Sequence, residues 1–112
     1  MHIIGIGTGG SNIAKKFVKY EQYTVHTIDI KNADIIFPPV YSMEEAEEAT
    51  PNFSKLAKKI KKSEKIIFVI CGGGNLGGAS LSIMEQFKKN PLSVIYVRPD
   101  KNFLNHKSFL KE

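Results

Sequence analysis

Hydrophobic positions along the chain switch between two spacings. The run His2-Ile-Ile-Gly-Ile6 is short, apolar and rich in β-branched residues, the pattern of a buried strand. Thr24 to Ile30 reads as a second strand, and Asp34 to Phe37 as a short third one, ended by Pro38-Pro39. Lys65 to Ile70 is the clearest strand, and Ser93 to Val97 is another. Between them the period lengthens to that of a helix. Ile13, Phe17 and Tyr20, with Ala14 and Val18 beside them, recur at helical spacing. Phe53, Leu56, Ala57 and Ile60 fall at i, i+3, i+4 and i+7, behind a Thr50-Pro51 start signal. Ala79 to Lys89 reads as a helix with Leu81, Met84 and Phe87 turned inward, stopped by Asn90-Pro91. The glutamate-rich stretch from Tyr41 to Ala49 is a loop or one short helix, and Phe103 to Glu112 leads into a weak helix.

Strands alternating with helices predict an α/β fold, a parallel sheet with helices on both faces. We expect a three-layer, Rossmann-like single domain over residues 1–112, with right-handed crossovers and no internal repeat or dividing linker. At 112 residues the chain is long enough for a real core. Hydrophobic residues at 42% and charged residues at 24% exclude global disorder and fibrous repeats. No apolar run approaches the roughly 18 residues that span a bilayer. With no cleavage signal after Met1, the expected compartment is cytoplasmic.

Charge and chemistry refine this only in part. The formal net charge is +5, and all but one of the 16 basic side chains are lysines, the exception being Arg98. Nucleic-acid readers usually add arginine forks and clustered aromatics, so the excess reads first as solubility and no nucleic-acid partner is expected. The lysines between Lys55 and Lys65 read as the solvent side of a helix, with a polyanion or partner surface as the lesser alternative. One cysteine, Cys71, excludes an intramolecular disulfide and reads as a small buried residue. His2, His26 and His106 are scattered in sequence and make no metal site with it.

All nine glycines fall in two clusters. Gly5, Gly7 and Gly10 satisfy G-x-G-x-x-G between a strand and a helix. Such a loop lets the backbone approach a phosphate, and the helix behind it offers free N–H groups and a partial positive charge. Ser11 offers a helix-capping hydroxyl. Asp29 ends the next strand, where a dinucleotide fold keeps its ribose-binding carboxylate. The alternative is a tight turn whose glycines serve packing. The second cluster, Gly72-Gly73-Gly74-Asn75-Leu76-Gly77-Gly78, is more unusual: five glycines in seven positions, again between strand and helix. A strand order of 3-2-1-4-5 would set both loops side by side at one sheet edge, an arrangement suited to a polyphosphate. Neither loop is followed by the Gly-Lys-Ser/Thr of a Walker A motif, so binding would rest on backbone amides.

The segment Ile4-Gly-Ile-Gly-Thr-Gly-Gly-Ser-Asn-Ile-Ala14 resembles the first nucleotide loop of the tubulin/FtsZ superfamily. Phe68-Val-Ile-Cys-Gly-Gly-Gly-Asn-Leu-Gly-Gly78 resembles its signature loop, Thr27-Ile-Asp29 the end of its second strand, and Ser93 to Pro99 with Phe103 and Lys107 its next strand and loop. Residues 33–64 match poorly. Asn75 stands for the signature threonine, Leu76 for a glycine and Gly77 for the second hydroxyl residue. The resemblance implies tubulin/FtsZ nucleotide-domain topology, limited to the N-terminal nucleotide-binding part of that fold. It implies GTP or GDP as ligand, with Mg²⁺ carried on the nucleotide, and self-association or a related subunit as partner in a cytoskeletal filament. Its nucleotide contacts carry over to Gly7, Thr8, Gly9, Gly10, Asn12 and Asp29 in the first half. In the second they carry over to Gly72, Gly73, Gly74, Asn75 and Gly77. The family's catalytic loop has no counterpart, so hydrolysis by this chain alone is not expected and no catalytic residue is assigned. Two other readings stand beside it: a dinucleotide domain for NAD or FAD, with Asp29 on the ribose, and a degenerate, non-catalytic nucleotide fold acting as an adaptor.

Overall fold

The computed structural model describes residues 1–38, 42–48, 51–72, 76 and 79–97. Five strands, β1 (His2–Ile6), β2 (Thr24–Asp29), β3 (Ile35–Ile36), β4 (Ile66–Cys71) and β5 (Leu92–Val97), form one sheet. All pairings are parallel and the order is β3-β2-β1-β4-β5. The helices are α1 (Gly7–Lys15), α2 (Met43–Glu48), α3 (Ser54–Lys59) and α4 (Ser80–Glu85). The α/β class is the one the alternating pattern predicts, and the order is the one that would set the two glycine clusters side by side. It is the order of the first five strands in doubly wound dinucleotide folds.

Strand alternation divides the core in two. Ile3, Val69 and Ala14 pack under α1 on one face, joined by Ile13, Phe17 and Ile67. Ile4, Phe68 and Ile70 point the other way, against Phe53, Ile83 and Phe87 from the α3 and α4 segments. The central strand β1 is buried along its whole length because helices cover both its faces. The edge strand β5 is not: Val94, Ile95 and Tyr96 are exposed.

Several local expectations are corrected. The first glycine cluster is not a turn ahead of the helix; α1 begins at Gly7, directly after β1, with Ile6 as its N-cap. Ser11 therefore lies inside the helix, and its hydroxyl donates back to the Gly5 carbonyl at 3.4 Å instead of capping. The helix stops at Lys15, which leaves Val18 and Tyr20 exposed. The α4 helix is shorter than its apolar pattern, and Leu81 is 77% exposed, with Ile83 and Phe87 taking the inward positions. The α3 helix starts at Ser54, where the Asn52 side chain accepts from the Ser54 N–H at 2.7 Å. Thr50 lies outside the described residues, as does the helix expected over 103–112.

Candidate nucleotide site at the carboxyl edge

The β1 and β4 strands are neighbours, with Ile6 beside Ile70 in the register. The first glycine segment and the start of the second therefore leave the sheet at the same edge, side by side. This is the point where the strand order reverses, the position at which open α/β sheets hold ligands. Gly7 is the first residue of α1 and has φ of +78°, a conformation that glycine takes freely and other residues rarely do. Its open side meets nothing nearer than the Leu76 Cβ, 3.8 Å from where a Cβ would stand.

The other glycines of the first cluster have a different reason. A Cβ on Gly5 would lie 2.5 Å from the Gly10 carbonyl oxygen and 2.8 Å from the Ala14 Cβ. One on Gly9 would lie 2.6 Å from the Cys71 sulfur, and one on Gly10 would overlap the Val69 carbonyl oxygen. These three glycines let α1 lie directly on β1 and β4. The packing alternative thus accounts for them, and Gly7 is the glycine of this cluster whose geometry leaves room for a ligand.

The leading amides of α1 have no intrahelical acceptor, and among the described residues no side chain caps them and no acidic residue lies in the first turn. Against α1 lies the carboxylate of Asp29, the last residue of β2 and 8% exposed. The Thr8 hydroxyl donates to Asp29 Oδ2 at 3.0 Å, and the Ile30 N–H donates to Asp29 Oδ1 at 2.7 Å. Sequence positions 21 residues apart are thereby tied together at the candidate site. Asn12 is exposed on α1.

On the β4 side, the Gly72 N–H donates to the Val97 carbonyl at 2.9 Å, extending the β4–β5 ladder. That amide is committed to the sheet. Gly73, Gly74, Asn75 and Gly77 lie outside the described residues. Leu76 is buried, 5% exposed, and belongs to the core under α3 and α4. Ser80, which the motif reading passed over, opens α4 just beyond the second cluster. It is 7% exposed, and among the described residues its hydroxyl has no hydrogen-bond partner. An orphaned buried hydroxyl beside a glycine loop marks a place for a polar ligand or water. Its only sequence signal is its position at the helix start.

Cys71 is half-buried against Gly9. The histidines, scattered in sequence, are partly gathered at the opposite edge: His2 Nδ1 and His26 Nε2 lie 3.1 Å apart and the rings stack. Among the described residues no group of three or more His, Cys, Asp or Glu is placed to hold a metal. No helix among them is long and apolar enough to cross a membrane. Comparison with protein-family models, curated proteins and solved structures returned no match to this chain.

Proposed function

We propose that the carboxyl edge between β1 and β4 binds a nucleoside phosphate, with GTP as the lead ligand. The observation that carries this is the uncapped N-terminus of α1, opened by Gly7 at positive φ, at the strand-order reversal. Free amides and the helix dipole favour an anion there. The second glycine cluster leaves the adjacent strand, and the unpaired Ser80 hydroxyl beyond it offers a further donor. The described contacts redistribute the roles taken from the resemblance to tubulin and FtsZ. Gly7, Thr8 and the α1 amides are the phosphate candidates; Gly9 and Gly10 serve the helix seat. Mg²⁺ would arrive held by phosphates and water. Self-association in a filament, which the same resemblance implies, remains part of this reading.

The placement of Asp29 favours a second reading, NAD or FAD. Its carboxylate sits at the end of β2 against the first turn of α1, as a ribose-binding carboxylate does. Calorimetric titration of the chain with GTP, ATP and NAD separates the two. In the GTP reading, Gly73→Val weakens triphosphate binding about ten-fold or more, the value of one charge-assisted hydrogen bond. In the dinucleotide reading, Asp29→Ala abolishes NAD binding and Gly73→Val spares it. Binding of neither ligand at about millimolar concentration leaves the degenerate adaptor, with Leu76 in the space that a phosphate would need.

A further inference from the structure

A second concavity lies at the other end of the molecule. It is a cleft of about 640 Å³ between the α3 and α4 segments, where the chain enters β4 and β5. Lys58, Lys61 and Lys62 line it from one side, and Lys88 and Lys89 from the other. Two groups of lysines some thirty positions apart in sequence thus face one space. Among the described residues, the one acidic side chain in the lining, Glu85, is paired with Lys88 at 3.1 Å. The cleft holds a net charge of +4, against +5 for the whole chain. The floor is apolar, from Ala57 and Ile60.

The floor is also fixed in shape. Gln86 Nε2 donates to the Pro51 carbonyl at 2.9 Å, and its Oε1 accepts from the Phe53 N–H at 2.6 Å. Asn90 Nδ2 donates to the carbonyls of Lys61 at 2.7 Å and Glu64 at 3.1 Å. These amides tie the two segments together, so the ammonium groups are left as the cleft's charged donors. Lysine stems add apolar wall while their heads stay in water.

We propose that this cleft binds an acidic peptide segment of a partner protein, with carboxylates interleaved with small apolar side chains. Charge complementarity selects an anion, and the apolar floor selects one that also carries apolar groups. Among the described residues, the lining contains no aromatic ring on which a base could stack and no arginine fork for phosphate. That composition favours carboxylates on a polypeptide over a nucleic-acid backbone. The cleft is at the end of the sheet opposite Gly7, and it shares no lining residue with the candidate nucleotide site.

The test is fluorescence anisotropy on the full chain, using a short fluorescein-labelled peptide that alternates glutamate with alanine and leucine. A short oligothymidylate is the competitor. We expect salt-sensitive binding of the peptide, weakened roughly ten-fold or more by the double change Lys61→Glu, Lys89→Glu. The control Lys15→Glu, on α1 and away from the cleft, should change it less than about two-fold. Exposed lysines leave the fold intact, which circular dichroism checks. Equal loss in Lys15→Glu, oligothymidylate binding as tightly as the peptide, or no peptide binding at about millimolar concentration would overturn the proposal.

Discussion

Gly10 in α1 sits against the Val69 carbonyl of β4 so closely that no side chain fits between them. The relationship joins residues 59 positions apart. It sets the depth at which α1 rides on the sheet, and with it the height of the α1 N-terminus above the carboxyl edge.

A methyl group there acts as overpacking against backbone, which cannot move aside as a side chain can. Gly10→Ala should cost about 1–3 kcal/mol, read as a lower urea midpoint with unchanged slope. Gly7→Ala makes only an ordinary contact with the Leu76 Cβ but must hold φ of +78°, a strain of about 1 kcal/mol. A larger loss at Gly7 than at Gly10 would contradict the packing described.

Thr8 and Asp29 should be energetically coupled. In a double-mutant cycle with Thr8→Val and Asp29→Asn, urea unfolding should give an interaction of about 0.5–1.5 kcal/mol. Additive effects would mean that the hydrogen bond adds nothing to stability in solution.

Leu76 has two consequences that separate cleanly. It is a buried core residue, so Leu76→Ala should lower stability by about 2–4 kcal/mol. Its Cβ also stands beside the open face of Gly7, so the same change should strengthen GTP binding several-fold. Calorimetry on the folded variant reads the second effect; weakened binding would make Leu76 part of the ligand cradle instead.

Stability should fall on mild acidification. Burial, then the neighbouring His2, hold the His26 imidazole below its ordinary 6.5, with Lys59 acting the same way and Asp34 opposing. Below 6.5 the unfolded chain takes up a proton that the folded one resists. The destabilisation therefore sets in as pH falls below 6.5, grows until the lower folded value is passed, and is absent above 6.5. Glu64 adds a separate window. The Lys61 N–H holds its carboxyl below 4.5, so its stabilising contribution is lost only as pH falls below that. Unfolding curves from about pH 7.5 to 5 should show the first loss in the parent chain and a flatter profile in His26→Gln.

The amino-acid sequence alone determined the class of this fold. Strand and helix periods are local properties, and five apolar runs spaced by amphipathic segments leave few ways to bury them except a parallel sheet between helices. The G-x-G-x-x-G pattern likewise marked the strand-to-helix junction at the sheet's carboxyl edge, though the helix begins there at Gly7 with no intervening loop. Tertiary structure decided what each residue there does. Gly9 and Gly10 lie in the cluster that resembles a phosphate loop, yet their nearest demands come from Cys71 and Val69 on a strand some sixty residues later. Leu81 fits the apolar stripe of its helix but faces solvent, because Ile83 and Phe87 already meet the sheet. The pairing of His2 with His26, and the meeting of lysines from α3 and α4 around one cleft, follow from strand register and helix placement. Such contacts join residues distant in the chain, and a local pattern carries no information about which distant backbone will stand beside it.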